Sequence, residues 1–127
     1  MQNRVLHWLG STLKDVKDFP KEVRQEVGFA IRQAQNGGKA FCAVPMMGLG
    51  ARVLEAIIDH DGDTFRAVYT VRFEKAVYAL HAFKKKSKRG IATPKREIDL
   101  IRSRLKDAQE HYKQHYEQAD KKEASNG

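Results

Sequence analysis

The chain has 127 residues, 24 Lys/Arg against 16 Asp/Glu and a formal net charge of +8, a length suited to one domain around one hydrophobic core. No run approaches the roughly 20 apolar residues of a membrane span, no basic and apolar leader of the secretory kind opens it, and the single cysteine, Cys42, has no partner for an internal disulfide. A helical membrane protein and a disulfide scaffold are therefore excluded, and a reduced cytoplasmic protein is the expectation.

The charge is unevenly spread. Lys84 to Lys106 hold ten basic and two acidic residues, a balance equal to that of the whole chain, so the positive field comes from this one segment. Such a field suits phosphate backbones, anionic surfaces or an acidic protein partner.

Arg4 to Leu9 is a short apolar run containing Trp8 and closed by Gly10, and it predicts a first strand. Thr12-x-x-Asp15 resembles a capping box that opens a short helix carrying Leu13 and Val16. Pro20 suits the first turn of a second helix, in which Val23, Val27, Ala30, Ile31 and Ala34 recur at helical spacing. Gly37-Gly38 stops it. Lys39 to Gly50, with Pro45 and three glycines nearby, reads as a loop, and its Met46 and Met47 as packing residues. Arg52 to Ile58 predicts the next strand, and Asp59 to Asp63 a polar hairpin turn. Thr64 to Val71 and Ala76 to Phe83 predict two further strands, the last running into Lys84 to Arg89. Alternation along Ala76 to Phe83 puts Tyr78 and Leu80 on one face and Val77, Ala79, His81 and Phe83 on the other. Thr93-Pro94 opens a last helix whose apolar stripe is Ile98, Ile101, Leu105, Ala108 and Tyr112. The predicted order is β-α-α-β-β-β-α, an α+β domain over residues 1–116 with a small antiparallel sheet packed against helices. Residues 117–127 carry no apolar pattern and are expected to form a flexible tail.

If Ile58 faces Thr64 and Phe73 faces Ala76 across the two turns, Arg52, Arg66, His81, Phe83 and Lys85 share one face of the sheet. The set suits phosphodiester chemistry. Arginine grips phosphate in a bidentate manner, lysine adds a point charge, and histidine titrates near neutral pH. An aromatic ring offers a stacking surface to an unpaired base. A ribose 2′-hydroxyl can then attack the adjacent phosphate without a metal, protons moving through His81 or a lysine of lowered pKa while Arg66 stabilises developing charge. Each residue also has a plainer reading. Arg66 can pair with Glu55 or Asp63, His81 can be a satisfied core histidine, and Lys84 to Arg89 can be only a docking surface. His111 and His115 are spaced i, i+4, yet the sequence offers them no third metal ligand. No metal or cofactor is expected.

FRAVYTV, followed by the Leu80-His81-Ala82-Phe83-Lys84-Lys85-Lys86 segment and the Thr93-Pro94-Lys95-Arg96-Glu97-Ile98 helix start, resembles the phage-related, HigB-like branch of the RelE/ParE toxin superfamily. The resemblance spans Val5 to Tyr112 and implies the RelE-like α+β fold. It also implies a toxin of a type II toxin–antitoxin pair that cuts mRNA on the ribosome without a metal. The implied partners are an antitoxin carrying a helix-turn-helix domain, the ribosome and mRNA, with no role for a membrane. The superfamily's strand arginine falls on Arg66, with Tyr69 matching its second aromatic. Its basic residues after the last strand fall on Lys85 and Lys86, and the cation of the preceding strand on Arg52. Arg66, His81, Lys85 and Lys86 are thus the expected catalytic residues, and Arg52, Phe83, Lys84, Lys88 and Arg89 the expected RNA contacts. No tyrosine lies between Tyr78 and Tyr112 to match the catalytic tyrosine of RelE. Two other readings stay open, a ParE-like inhibitor of DNA gyrase and a non-toxic, phage-derived basic nucleic-acid-binding protein.

Overall fold

A computed structural model describes residues 3–50, 52–86 and 93–117, with Lys86 described by its backbone alone. The elements follow as β1 (Val5–Trp8), α1 (Thr12–Lys17), α2 (Lys21–Gln35), β2 (Ala43–Pro45), β3 (Val53–His60), β4 (Asp63–Thr70), β5 (Ala76–Lys86) and α3 (Lys95–Tyr112), the last continued by a wider turn over Lys113–Glu117. Five strands make one open sheet in the order β1-β5-β4-β3-β2. The fold is α+β, as the pattern predicts, with two differences. β2 lies inside the segment expected to be a loop, where Pro45 and three-residue length confine it to the sheet edge. β1 pairs with β5 in parallel, through Val5 opposite Ala76 to Trp8 opposite Ala79, so the sheet is mixed rather than antiparallel.

Each face of the sheet buries one helical layer. Val23, Val27, Ala30, Ile31 and Ala34 of α2 pack with Val16 of α1 onto Leu54, Ala56, Ile58, Phe65, Ala67, Tyr69, Val77 and Ala79. On the opposite face Ile101, Leu105, Ala108 and Tyr112 of α3 pack onto Val53, Val68, Ala76, Tyr78 and Leu80. The helical and two-residue periods of the sequence thus produce both layers directly.

Helix starts depart from the expected caps. Ser11, not Thr12, precedes α1, and its hydroxyl donates to the Asp15 carboxylate at 2.8 Å. Thr12 is buried inside the helix and donates to the Leu9 carbonyl. Pro20 and Pro94 each stand one residue before their helix and not at its first position.

Turn chemistry fixes register. Asp61 and Gly62 both take positive φ, 49° and 81°, the two-residue turn that matches strand twist. His60 therefore opposes Asp63, and Asp59, not Ile58, opposes Thr64. At the other hairpin Arg66 opposes Phe83 as expected. Farther along, Val68 pairs with His81 and Tyr69 with Ala79, which leaves Leu80 as the extra residue of a β-bulge. The bulge breaks the simple alternation. His81 and Phe83 join Tyr78 and Leu80 on the α3 side, while Val77 and Ala79 face α2.

Candidate functional site

The β3-β4 register sets Glu55 opposite Val68 and Ile57 opposite Arg66. Glu55 and Arg66 therefore lie diagonally on the α3 face, within reach of long side chains. Arg66 Nη1 donates to Glu55 Oε1 at 2.7 Å, with the two side chains only 13% and 6% exposed. Thr93, at the entry to α3, donates from Oγ1 to Glu55 Oε2 at 3.4 Å. Arg66 Nε is buried and has no hydrogen-bond partner. The guanidinium is thus held mainly by one carboxylate, the plainer of the two sequence readings.

β5 supplies the rest. Phe83 opposes Arg66 directly, and Lys85 opposes Thr64 two residues farther on, so both share that face. The Lys85 ammonium has its pKa lowered, first by desolvation and then by the Arg66 charge, with Glu55 acting in the opposite sense. Lys84 belongs to the other face, opposite Phe65, and pairs with Asp63 at 3.2 Å. It lines a cleft of ≈ 780 Å³ between α1, the β3-β4 turn and the start of α3. Lys86 ends β5 opposite Asp63, and Lys88 and Arg89 lie outside the described residues.

His81 is 6% exposed and fully engaged. Its Nδ1 accepts from Arg104 Nη1 at 3.3 Å, which puts the ring proton on Nε2, and Nε2 donates to Glu97 Oε2. The ring stacks on Phe83 at 4.9 Å between centroids. Arg104 also donates to the Leu80 carbonyl at 2.9 Å, a backbone group exposed by the bulge. With both ring nitrogens engaged by α3, His81 fastens β5 to that helix, the satisfied core histidine of the plainer sequence reading.

Arg52 does not share the face of Arg66 that the sequence register predicts. It precedes β3 at φ +64° and lines a hollow on the α2 face with Arg4 and Lys39, away from Arg66. The one-residue difference in the β3-β4 register is the cause, since each step along a strand reverses the face. Tyr69, the second aromatic of the strand pattern, is wholly buried on the α2 side, where burial pushes its phenol up to about 12.

Two residues matter more than the sequence suggested. Glu55 appears there only as a possible competitor for Arg66, yet it is a glutamate within a buried strand, rare without a partner. Arg104 carries no motif; its spacing of seven from Glu97 does place both on one side of α3.

Among the described residues no group of three or more His, Cys, Asp or Glu is arranged to hold a metal ion, and no helix is long and apolar enough to cross a membrane. The family model described as phage-derived protein Gp49-like (DUF891) matches residues 14–106, from within α1 to most of α3. The chain belongs to that family. The Gp49-like match thus includes Glu55, Arg66, Phe83 and Lys85, and it is related to the RelE and HigB toxins. No curated protein and no solved structure matches this Gp49-like chain.

Proposed function

We propose that the protein is the toxin of a type II toxin–antitoxin pair and arrests translation as a metal-independent, ribosome-dependent mRNA endonuclease of RelE-like fold. One observation carries the reading. A guanidinium, a carboxylate and an ammonium of lowered pKa lie together on one sheet face, as Arg66, Glu55 and Lys85, with the Phe83 ring opposite Arg66. Membership of a phage-derived family with toxin relatives supports it.

In this mechanism a backbone phosphate replaces Glu55 as the partner of Arg66, two anions exchanging on one guanidinium. The released Glu55 carboxylate takes the proton of the ribose 2′-hydroxyl. The 2′-oxygen attacks the adjacent phosphorus, the P–O5′ bond breaks, and the Lys85 ammonium protonates the departing 5′-oxygen. A 2′,3′-cyclic phosphate and a 5′-hydroxyl result. Arg66 carries the charge that develops on the phosphoryl oxygens. Phe83 stacks an unpaired base, while Lys84, Lys86, Lys88 and Arg89 add field along the RNA. The cognate antitoxin, a helix-turn-helix protein, masks this surface in the cytoplasm.

The test uses purified protein with translating ribosomes and end-mapping of the message. Cleavage leaving cyclic phosphate ends, lost in Lys85→Met, is the expected result. A second reading is favoured by the partner Arg66 already has: a ParE-like gyrase inhibitor needs the basic strand end only for docking. A DNA-damage response with translation intact after induced expression would replace the first reading by the second.

A further inference from the structure

At the end of the sheet remote from Lys85, a hollow of ≈ 520 Å³ opens on the α2 face between the start of β1, the residues after α2 and those before β3. Arg4, Lys39 and Arg52 line it together with Pro45, Leu54 and Val71, and no carboxylate is among the lining residues. Elsewhere on this chain the described cations Arg66 and Lys84 have carboxylate partners.

Two further features point to an anion. Arg4 is fixed by Nη1 donating to the Val71 carbonyl at 3.3 Å, yet its buried Nε has no hydrogen-bond partner. A buried N–H of a charged group without an acceptor is costly. Arg52 holds φ +64°, a conformation unfavourable for a long side chain. Its carbonyl is clamped there by the Thr70 hydroxyl and the Val71 amide, each at 3.0 Å. The backbone strain is thereby sustained at the residue that brings a second guanidinium to the hollow.

We propose that this hollow is a phosphate-binding site, taking a phosphate group carried by a nucleotide or an RNA strand. Two guanidiniums and an ammonium match a phosphate better than a carboxylate, because a phosphate offers three oxygens and about two negative charges to them where a carboxylate offers two oxygens and one charge. The volume exceeds that of a lone anion, and Pro45, Leu54 and Val71 give an apolar wall for the attached sugar or base. The proposal stands apart from the cleavage site, since these residues lie on the opposite face of the sheet.

The experiment is titration of the full chain with adenosine 5′-monophosphate, adenosine, inorganic phosphate and a glutamate-rich peptide. Arg52→Gly removes the guanidinium where glycine accepts the positive φ, and Lys39→Ala removes an exposed ammonium, so both variants keep the fold. Arg24→Ala, exposed on α2 outside the hollow, controls for a general loss of charge. The nucleotide is expected to bind, adenosine not to bind, and each hollow variant to lose about tenfold or more in affinity, as for a charged hydrogen bond. Arg24→Ala should bind as the unaltered chain does. Inorganic phosphate binding as tightly as the nucleotide supports the site with the free anion as its source. Unchanged affinity in Arg52→Gly overturns the proposal, as does an equal loss in Arg24→Ala. Tighter binding of the glutamate-rich peptide overturns it in favour of an acidic protein segment. Because the readout is binding, a chain that cleaves no RNA still tests the hollow.

Discussion

Replacing Arg66 with alanine leaves Glu55 as an unpaired carboxylate in a place where its side chain is only 6% exposed. The sequence alone leaves Arg66 either a phosphate ligand or a partner of Glu55 or Asp63. The structure makes it half of a buried pair, and breaking such a pair by removing one partner costs about 3–5 kcal/mol. Against a total stability of roughly 5–15 kcal/mol, that is a large fraction. For a chain of this length it corresponds to a fall in Tm of about 10–20 °C. Removing both charges has a different outcome. Glu55→Leu with Arg66→Met replaces the pair by apolar groups of similar volume, and such replacements are often neutral or stabilising. The double variant should therefore lie within about 1 kcal/mol of the parent, far below the sum of the losses of Glu55→Leu and Arg66→Met taken singly. Urea unfolding followed by circular dichroism measures the four proteins of the cycle and Arg66→Ala beside them. A loss below about 1 kcal/mol in Arg66→Ala would refute the argument, because it would mean that solvent already screens the pair. The same cycle decides how toxicity data are read. Lost toxicity in Arg66→Ala alone confuses unfolding with lost chemistry, whereas Lys85→Met alters the proposed proton donor without stranding a buried charge.

Two further outcomes follow from groups away from the site. The Tyr69 hydroxyl is buried without a hydrogen-bond partner, so Tyr69→Phe should leave thermal stability unchanged or raise it by up to about 1 kcal/mol; a clear loss would show that the hydroxyl has an acceptor. His7 has its pKa lowered by burial and then by the charges of His111 and His115, and His111 is lowered by burial and His115. Below the ordinary histidine value the unfolded chain therefore binds more protons than the folded one, and stability present at higher pH is lost as pH falls. Melting at about pH 5.5 should lie below melting at about pH 7.5, with a smaller difference in His7→Gln. An equal difference in both proteins would show that His7 plays no part in the effect.

Periodicity made most of the fold legible. The stripes of α2 and α3 and the alternation of β4 needed only spacing and burial, because both sheet faces are covered and both patterns are strong. β2 was hidden by Pro45 and by a length of three residues, too short for alternation to register. The Leu80 bulge was hidden for another reason. It adds no special residue, and only the pairing of Val68 with His81 and Tyr69 with Ala79 reveals it. The site was legible in part. The opposition of Arg66 and Phe83 holds because the Leu80 bulge offsets a one-residue difference at the second hairpin, where Thr70 pairs with Tyr78 and not with Ala79, while Arg52 changes face through one residue of register at the first. The Asp61-Gly62 turn contained the needed information, since an Asp-Gly pair favours a two-residue loop. His81 could not be assigned from sequence, because its partners Glu97 and Arg104 lie on a helix packed across the sheet.

The buried pair also constrains how a nuclease here could work. In the proposed mechanism Glu55, paired with Arg66, is held in check as a base until an anion takes its place. Substrate binding and base release then become one event, and in the resting site the Glu55 carboxylate is paired with Arg66. The start of α3 is the structural counterpart of that exchange. Thr93 holds the second oxygen of Glu55, and one turn later Glu97 holds His81, which is stacked on Phe83. A partner that shifts this helix start would therefore disturb the proposed base and the proposed stacking ring together, although it touches neither Arg66 nor Lys85. An antitoxin acting in this way would inhibit by repositioning Glu55, and Lys85 would keep its place on β5.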